Sequence, residues 1–400
     1  MLILQINTVD TRGGAAQVAY GLKRELEKRG HQSPMFVGRK YSNDPNVFVL
    51  NDVLSFSGKV RRKLAYWFAN DIDIFSSDHI LETEQFKKAD IVHCHNLHGN
   101  YFNLSTLEKI SRLKPVVWTF HDMWPLTAHC AHAFDGALKN GFFTCPNLDI
   151  PPSIAWHNEK HLERRKGEIY KNSNFHIVTP SKWLANKTKQ SILKDKPLSV
   201  FYNGIDISIF KPYDKIESRQ SLDLPLDKRI VLVVAKGGAS NPWKGGNYAQ
   251  EAVKAFKDDP GVFFVCLGGD IAQANPRLKT VSYTANQAIL AKYYSAADML
   301  LYPSIADNCP LVVLEAHACG LPVVSFDTGG IPELVNHQKT DYIAHHKDVD
   351  ELINGIKWML SRSPVELTAI SETLIIKIRS GFSLDTVAEQ YLELYKSLIK

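Results

Sequence analysis

YPSIADNCPLVVLEAHACGLPVV, residues 302–324, contains one complete connection between two strands. The apolar run Met299–Tyr302 ends at Pro303–Ser304, a polar loop carries Asp307 and Asn308, and Pro310 suits the first turn of a helix running to Ala318. A second strand, Pro322–Ser325, follows almost at once. Strand, helix and strand in so short a span make a βαβ unit of a parallel sheet. Within it, Glu315 sits in the apolar context VVLEAHACG, on a helix expected to be largely buried, where an unpartnered carboxylate is costly. Ligand hydroxyls or a structural hydrogen bond would each satisfy it.

The same alternation of short apolar runs and amphipathic segments extends through the chain. Strands are expected at Leu2–Thr8, Gln32–Val37, Ile91–Cys94, Val116–Thr119, His176–Thr179 and Ser199–Phe201, and again at Ile230–Val234, Val262–Leu267, Thr280–Ser282, Met299–Tyr302, Pro322–Ser325 and Thr340–Ile343. Helices fall at about Tyr248–Lys257 and Gln287–Ala296. The fold class is therefore α/β, with two doubly wound parallel-sheet domains, since 400 residues exceed one ordinary domain of roughly 100–200. The charge-rich, proline-containing stretch from Asn203 to Arg229 holds the boundary, with the linker near Phe210–Pro212. This divides the chain into residues 1–208, 209–382 and a terminal amphipathic helix within 383–400. Ligands in open parallel sheets bind beyond the carboxyl ends of the strands, so two such domains facing one another would hold a site in their cleft.

Lysine and arginine number 47 against 42 acidic residues, a formal +5. Residues 1–200 carry 27 basic and 19 acidic side chains, hence +8, which leaves 20 and 23, or −3, for the second half. The six cysteines form no dense framework, and three lie in apolar segments, which fits a reducing cytoplasm. MLILQINTVD reads as a strand rather than a secretory leader, and no apolar run reaches the roughly 18 residues that span a bilayer.

Two glycine-rich turns could receive phosphate. The first strand runs into Thr11-Arg12-Gly13-Gly14-Ala15-Ala16 and a helix, where close backbone approach and a helix start favour an anion. The second is residues 235–246, AKGGASNPWKGG, where Lys236 and Lys244 flank a loop and an ammonium can pair with a diphosphate. Neither matches a dinucleotide or P-loop signature.

Asp307 and Glu315, with seven residues between them, the preceding Pro303-Ser304 and the following Gly320-Leu321-Pro322-Val323-Val324 resemble the nucleotide-sugar signature of glycosyltransferase family 4, retaining enzymes of the GT-B fold. The likeness covers nearly the whole chain: Gly13-Gly14-Ala15, His121-Asp122, Thr179-Pro180-Ser181, Asn203-Gly204-Ile205-Asp206, Trp243-Lys244-Gly245 and Thr328-Gly329-Gly330-Ile331-Pro332-Glu333 occur in the family's order. The resemblance implies two Rossmann-like domains across a central cleft, with the last helix crossing back to the first domain. It further implies that Glu315 accepts from the donor ribose hydroxyls and that Asp307, where most relatives carry glutamate, meets the transferred sugar. Asn308, Cys309, Pro310 and Leu311 would offer backbone to sugar or phosphate. Lys244 and Lys236 would neutralise the diphosphate, Gly13 and Gly14 would approach it, and His121 would contact the donor sugar.

The expected catalytic set is thus His121, Lys244, Asp307 and Glu315, with no metal and no cofactor beyond a UDP- or GDP-type donor substrate. Fixed lysines can stabilise the departing diphosphate electrostatically, and the only D-x-D noted, Asp71-Ile72-Asp73, reads as surface loop. His93-Cys94-His95, whose imidazoles could hydrogen-bond acceptor hydroxyls or each other, and the His129–His132 segment with Cys145, in the Trp124–Ile150 loop expected to shape the acceptor pocket, are not read as zinc sites. Ser57–Phe68 mixes four basic residues with aromatic and aliphatic ones, suiting residues 59–68 to an anionic membrane surface. The expectation is a cytoplasmic enzyme, at the inner face of the membrane, that moves sugar to a glycan or lipid-linked acceptor in bacterial surface polysaccharide synthesis and binds no nucleic acid. A nucleotide-sugar epimerase and a non-catalytic nucleotide-sugar-binding subunit share the architecture.

Overall fold

The computed structural model describes all residues except 52, 54, 235–241, 269–276, 283 and 400. The chain forms two compact units, Met1–Gly204 with Val387–Lys400, and Ile205–Thr386. Each division lies four residues from the position read in the sequence, because Ile205 donates its N–H to Phe382 O (2.9 Å) and accepts from Leu384 N (2.8 Å), which ties both segments into the second unit.

The first unit holds β1 (Ile3–Val9), β2 (Met35–Arg39), β3 (Val47–Val49), β4 (Ile91–Cys94), β5 (Val116–Thr119), a small hairpin of β6 (Leu138–Lys139) and β7 (Phe142–Phe143), β8 (His176–Thr179) and β9 (Leu198–Val200). Its seven-stranded sheet runs β3-β2-β1-β4-β5-β8-β9, all neighbours parallel. The second unit holds β10 (Arg229–Val234), β11 (Val262–Leu267), β12 (Leu278–Val281), β13 (Met299–Tyr302), β14 (Val323–Phe326) and β15 (Tyr342–Ala344), in the parallel order β12-β11-β10-β13-β14-β15. In both sheets the first strand of the unit is central and the strand order reverses beside it.

Parallel strands covered on both faces need continuous apolar sequence. RIVLVV in β10 and VFFVCL in β11 supply it, and their side chains join Ala252, Val253, Leu352 and Ile356 of flanking helices in the core of the second unit. In the first unit the helix Leu384–Leu398 turns Val387, Ala388, Tyr391, Leu392 and Tyr395 inward against Ile3, Leu22, Ile91 and Val117. Two polar contacts fix its register: Tyr391 Oη lies 2.9 Å from Thr119 Oγ1, and Tyr395 Oη 2.7 Å from His93 Nδ1.

Candidate active site

Neighbouring strands β10 and β13 continue to opposite sides of their sheet, and such a switch point leaves a crevice at the carboxyl ends. The turn Pro242–Lys244 lies after β10, and the Pro303–Cys309 loop follows β13. Trp243 O joins them by accepting from Ile305 N (3.0 Å) and Ser304 Oγ (2.9 Å). Gly245 then starts the helix Gly246–Ala255 from the left-handed region (φ 67°), so close to the loop that a Cβ there would stand 1.8 Å from Pro303 O. No other residue type fits without displacing that backbone. Gly245→Ala is expected to lower unfolding free energy by about 3 kcal/mol or more, from left-handed strain plus the clash. A denaturant midpoint equal to wild type would contradict this.

The junction brings Lys244 onto Asp307. Lys244 Nζ donates to Asp307 Oδ2 (2.7 Å) and to Tyr302 Oη (3.0 Å), while Tyr302 Oη donates to the same carboxylate oxygen (2.6 Å). Burial alone would push the Lys244 ammonium down, but the Asp307 carboxylate and the Tyr302 oxygen outweigh it and hold its pKa above the usual lysine range. Burial and Asp307 likewise raise the Tyr302 phenol. A fixed cation therefore stands at the switch point, held by a carboxylate that a ligand's own anion could replace.

Glu315 occupies the middle of the helix Leu311–Ala318 and is buried. Its partner is Tyr294, whose Oη donates to Oε2 at 2.8 Å. Burial raises the carboxyl to about 7, and the tyrosine's hydrogen bond offsets only part of that. Burial and then the Glu315 carboxylate raise the Tyr294 phenol well above the usual tyrosine range, which keeps it a hydrogen-bond donor to Glu315. Asn308 and Cys309 are buried in the loop, Pro310 caps the helix without a side-chain hydrogen bond, and Leu311 opens it, with no acidic residue in the first turn. Asp307 O accepts from Gly330 N at 3.3 Å, which joins the Thr328–Glu333 segment to this loop. On the same helix His317 serves the fold: its Nε2 pairs with Asp341 (2.9 Å), whose carboxylate also accepts from Val323 N and Asn336 N. Lys236 lies outside the described residues.

In the first unit the corresponding switch point lies between β1 and β4. Gly13 (φ 102°) starts the helix Gly14–Lys28, which has no side-chain cap and no acid in its first turn, and a Cβ on Gly13 or Gly14 would meet nothing within 4 Å. His121 is joined to β1 through a chain of polar groups. Gln5 Nε2 donates to Ser33 Oγ (2.8 Å), so Gln5 Oε1 faces His95 Nε2 (3.1 Å) as acceptor, and His95 Nδ1 meets His121 Nε2 at 3.0 Å. With both rings neutral, this order makes His95 Nδ1 accept from His121 Nε2–H and leaves His121 Nδ1 as an acceptor nitrogen. Burial lowers the His121 imidazole to about 4, which keeps it neutral near pH 7. His93 has both nitrogens engaged, by Thr119 and Tyr395, and among the described residues no group of three or more potential ligands could hold a metal ion.

Two expectations change, and two residues join the site. Asp71-Ile72-Asp73 is not a surface loop: Asp71 and Ile72 are buried, Asp71 accepts from Trp124 Nε1 (3.0 Å), and Asp73 pairs with Arg165. Opposite Asp71, burial lowers Lys166 to about 7, and its Nζ donates to Trp124 O and Thr127 O. The cysteines include one pair, because the β6–β7 hairpin returns Cys145 to Cys130 and a disulfide joins them (Cα–Cα 5.9 Å). Tyr294 and Tyr302, missed as site residues, lie in the last turn of the helix Gln287–Ala296 and at the end of β13.

The profile described as Glycosyltransferase Family 4 matches residues 12–209, and that described as Glycosyl transferases group 1 matches residues 228–362. The D-inositol 3-phosphate glycosyltransferase of Mycolicibacterium paratuberculosis is 26% identical over 308 residues, spanning 71% of this chain and 65% of the relative. The chain thus aligns with just under two thirds of that relative's length. Among solved structures, sucrose-phosphate synthase from Thermosynechococcus elongatus superposes with a TM-score of 0.70 at 17% identity, covering 99% of this chain and 98% of that one. Anabaena HepE in complex with UDP superposes with a TM-score of 0.68 at 17% identity over 100% of both chains; HepE is also solved with UDP-glucose. With one profile on each unit and the full chain following these folds, the protein is a member of glycosyltransferase family 4, the group 1 glycosyl transferases, and has the GT-B fold.

Proposed function

We propose that this chain is a retaining, metal-independent glycosyltransferase that moves a sugar from a nucleoside-diphosphate sugar to a glycan or lipid-linked acceptor in bacterial surface polysaccharide synthesis. The observation that carries the reading is the Lys244–Asp307–Tyr302 cluster at a sheet switch point, with the buried Glu315–Tyr294 pair on the helix that follows the same loop. Donor diphosphate would take Lys244 from Asp307, releasing that carboxylate to accept from hydroxyls of the transferred sugar. Glu315 would accept from the ribose. In the same reading the Gly13–Gly14 turn and Lys236 serve the diphosphate, the 308–311 backbone serves sugar or phosphate, and His121 accepts from the donor sugar.

As the bond from anomeric carbon to phosphate oxygen breaks, negative charge grows on the diphosphate, and a cation already in place stabilises it. That phosphate oxygen can take the acceptor hydroxyl's proton while the hydroxyl oxygen bonds to the same face of the sugar, giving retention without a protein nucleophile. HepE's complexes with UDP and UDP-glucose favour a UDP-type donor. A thermal-shift panel of UDP- and GDP-sugars tests the reading, because a ligand that binds only the native state raises its stability. At least one should raise Tm; no shift across the panel would contradict it.

The helix Phe56–Trp67 supplies the membrane contact in this reading. Only its Gly58 and Ala65 are buried; Trp67 and Phe68 are 66% and 58% exposed, and Arg61 is exposed on the same helix. No helix among the described residues is long and apolar enough to cross a membrane. Exposed aromatic rings next to cations complement an anionic bilayer surface, which fits work at the inner face of the cytoplasmic membrane. Wild type should co-sediment with phosphatidylglycerol vesicles and Leu64→Ser/Trp67→Ser should stay in the supernatant; equal sedimentation would remove this contact.

A further inference from the structure

Ser33 lies just ahead of the amino end of β2 and His121 just past the carboxyl end of β5, yet a continuous row of side chains joins them. Ser33 Oγ accepts from Gln5 Nε2 (2.8 Å), Gln5 Oε1 lies 3.1 Å from His95 Nε2, and His95 Nδ1 lies 3.0 Å from His121 Nε2. Ser33, Gln5 and His95 are buried, and His121 at the end of the row is partly exposed. Burial first, and His93 after it, holds His95 well below the ordinary imidazole range, and burial does the same for His121. Each ring is therefore neutral and carries one N–H.

A neutral imidazole that donates from one nitrogen accepts at the other, so the row has a direction. Hydroxyls serve either direction. His93, whose ring centre lies 4.1 Å from that of His95, has its nitrogens on the hydroxyls of Thr119 and Tyr395. The Gln5 amide is different, because its two ends are unlike: one only donates and the other only accepts. With Ser33 Oγ taking the NH₂ end, the carbonyl end faces His95.

We infer that Ser33, Gln5 and His95 are positioning residues for His121: by aiming the amide carbonyl at His95 they place the His121 proton on Nε2 and keep Nδ1 an acceptor for a sugar hydroxyl. The use toward the donor sugar rests on the transfer reading, whereas the proton placement does not. A buried N–H without a partner is rarer in proteins than a buried carbonyl without one. In Ser33→Ala the amide as it stands would strand an N–H. Turned over, it strands only its carbonyl and donates to His95 Nε2; His95 then donates from Nδ1 to His121 Nε2, and the His121 proton moves to Nδ1. Gln5→Leu acts in the same direction, since His95 Nε2 facing an apolar side chain is better left a bare lone pair than a bare N–H.

Nitrogen-15 NMR of the full chain labelled at histidine reads the proton's position, with the His121 signals identified by their loss in His121→Asn. Wild type at neutral pH should carry the His121 proton on Nε2, and Ser33→Ala and Gln5→Leu should each carry it on Nδ1. Ser33→Thr, which keeps the hydroxyl, should read as wild type. A merely structural Ser33 would change stability without moving a proton three hydrogen bonds away. Steady-state kinetics with UDP-glucose analogues, each with one hydroxyl replaced by fluorine, which cannot donate, reads the consequence. One analogue should raise the wild-type KM about fivefold, the worth of one hydrogen bond, and Ser33→Ala should lose that discrimination. An Nδ1–H tautomer or an imidazolium in wild type, or an unmoved proton in both variants, would overturn the inference. Discrimination kept by Ser33→Ala after the proton has moved would overturn its use toward the sugar. Failure of the transfer reading alone would appear as absent donor binding and turnover with the tautomer shifts intact.

Discussion

Lys244→Ala is expected to lower kcat/KM by roughly 10²–10³-fold, mostly in kcat, with the fold retained. Removing one preorganised charge partner of a developing anion typically costs that much. The group that acts is an ammonium held 2.7 Å from Asp307 and 3.0 Å from Tyr302, so it is in position before donor arrives. The variant leaves Asp307 a donor in Tyr302 Oη at 2.6 Å, and the carboxylate retains some solvent access, so folding should survive. Lys244→Arg should recover part of the loss, since it restores charge but not the compact ammonium. Steady-state kinetics with denaturant unfolding of each variant checks this, and a folded Lys244→Ala enzyme with near wild-type kcat would remove Lys244 from the mechanism.

Glu315→Gln is expected to weaken donor use by roughly 10–10²-fold, chiefly in KM, because hydrogen bonds to a charged acceptor are worth about 1.5–3 kcal/mol. Its pH behaviour separates this role from a structural one. Burial raises Glu315 from 4.5 to about 7, so the free protein holds a proton that the unfolded chain has lost. The native state then binds more protons across pH 4.5–7, and stability falls as pH rises through that window and levels off above it, by about 3 kcal/mol at most. Gln cannot ionise, so the variant should lose this slope and be the more stable protein at pH 8. Donor hydroxyls favour the ionised carboxylate, so wild-type donor affinity should rise from pH 6 to 8 and the variant's should not. A pH-independent wild type would contradict the assignment.

Much of this was legible because parallel strands advertise themselves. Ile91–Cys94, Val116–Thr119, His176–Thr179, Val262–Leu267 and Met299–Tyr302 form as the apolar runs predict, bounded by polar loops. Val47–Val49 was not legible, since three edge residues carry no period. The helix Pro364–Gly381 could have been read from Ser363-Pro364-Val365-Glu366, whose capping box is formed in full. At the site, Glu315 stood out as a charge in an apolar helix. Its partner did not, because Tyr294 lies twenty-one residues away on another helix and only packing brings its hydroxyl to the carboxylate. Asp71 was misread for a related reason: an acidic pair in a loop resembles solvent-facing sequence until Trp124 and Lys166, far along the chain, fold over it.

Calorimetric titration of UDP-glucose and related UDP- and GDP-sugars into wild type and Glu315→Gln, at pH 6 and 8 and in buffers of different ionisation enthalpy, bears most directly on the claim that this unit grips a nucleotide sugar through Glu315. The predicted result is at least one donor that binds wild type more tightly at pH 8, releases a fraction of a proton at pH 7, and loses both the affinity and the release in Glu315→Gln. Binding of equal strength and equal proton count in both proteins, or no binding by any donor, would contradict it.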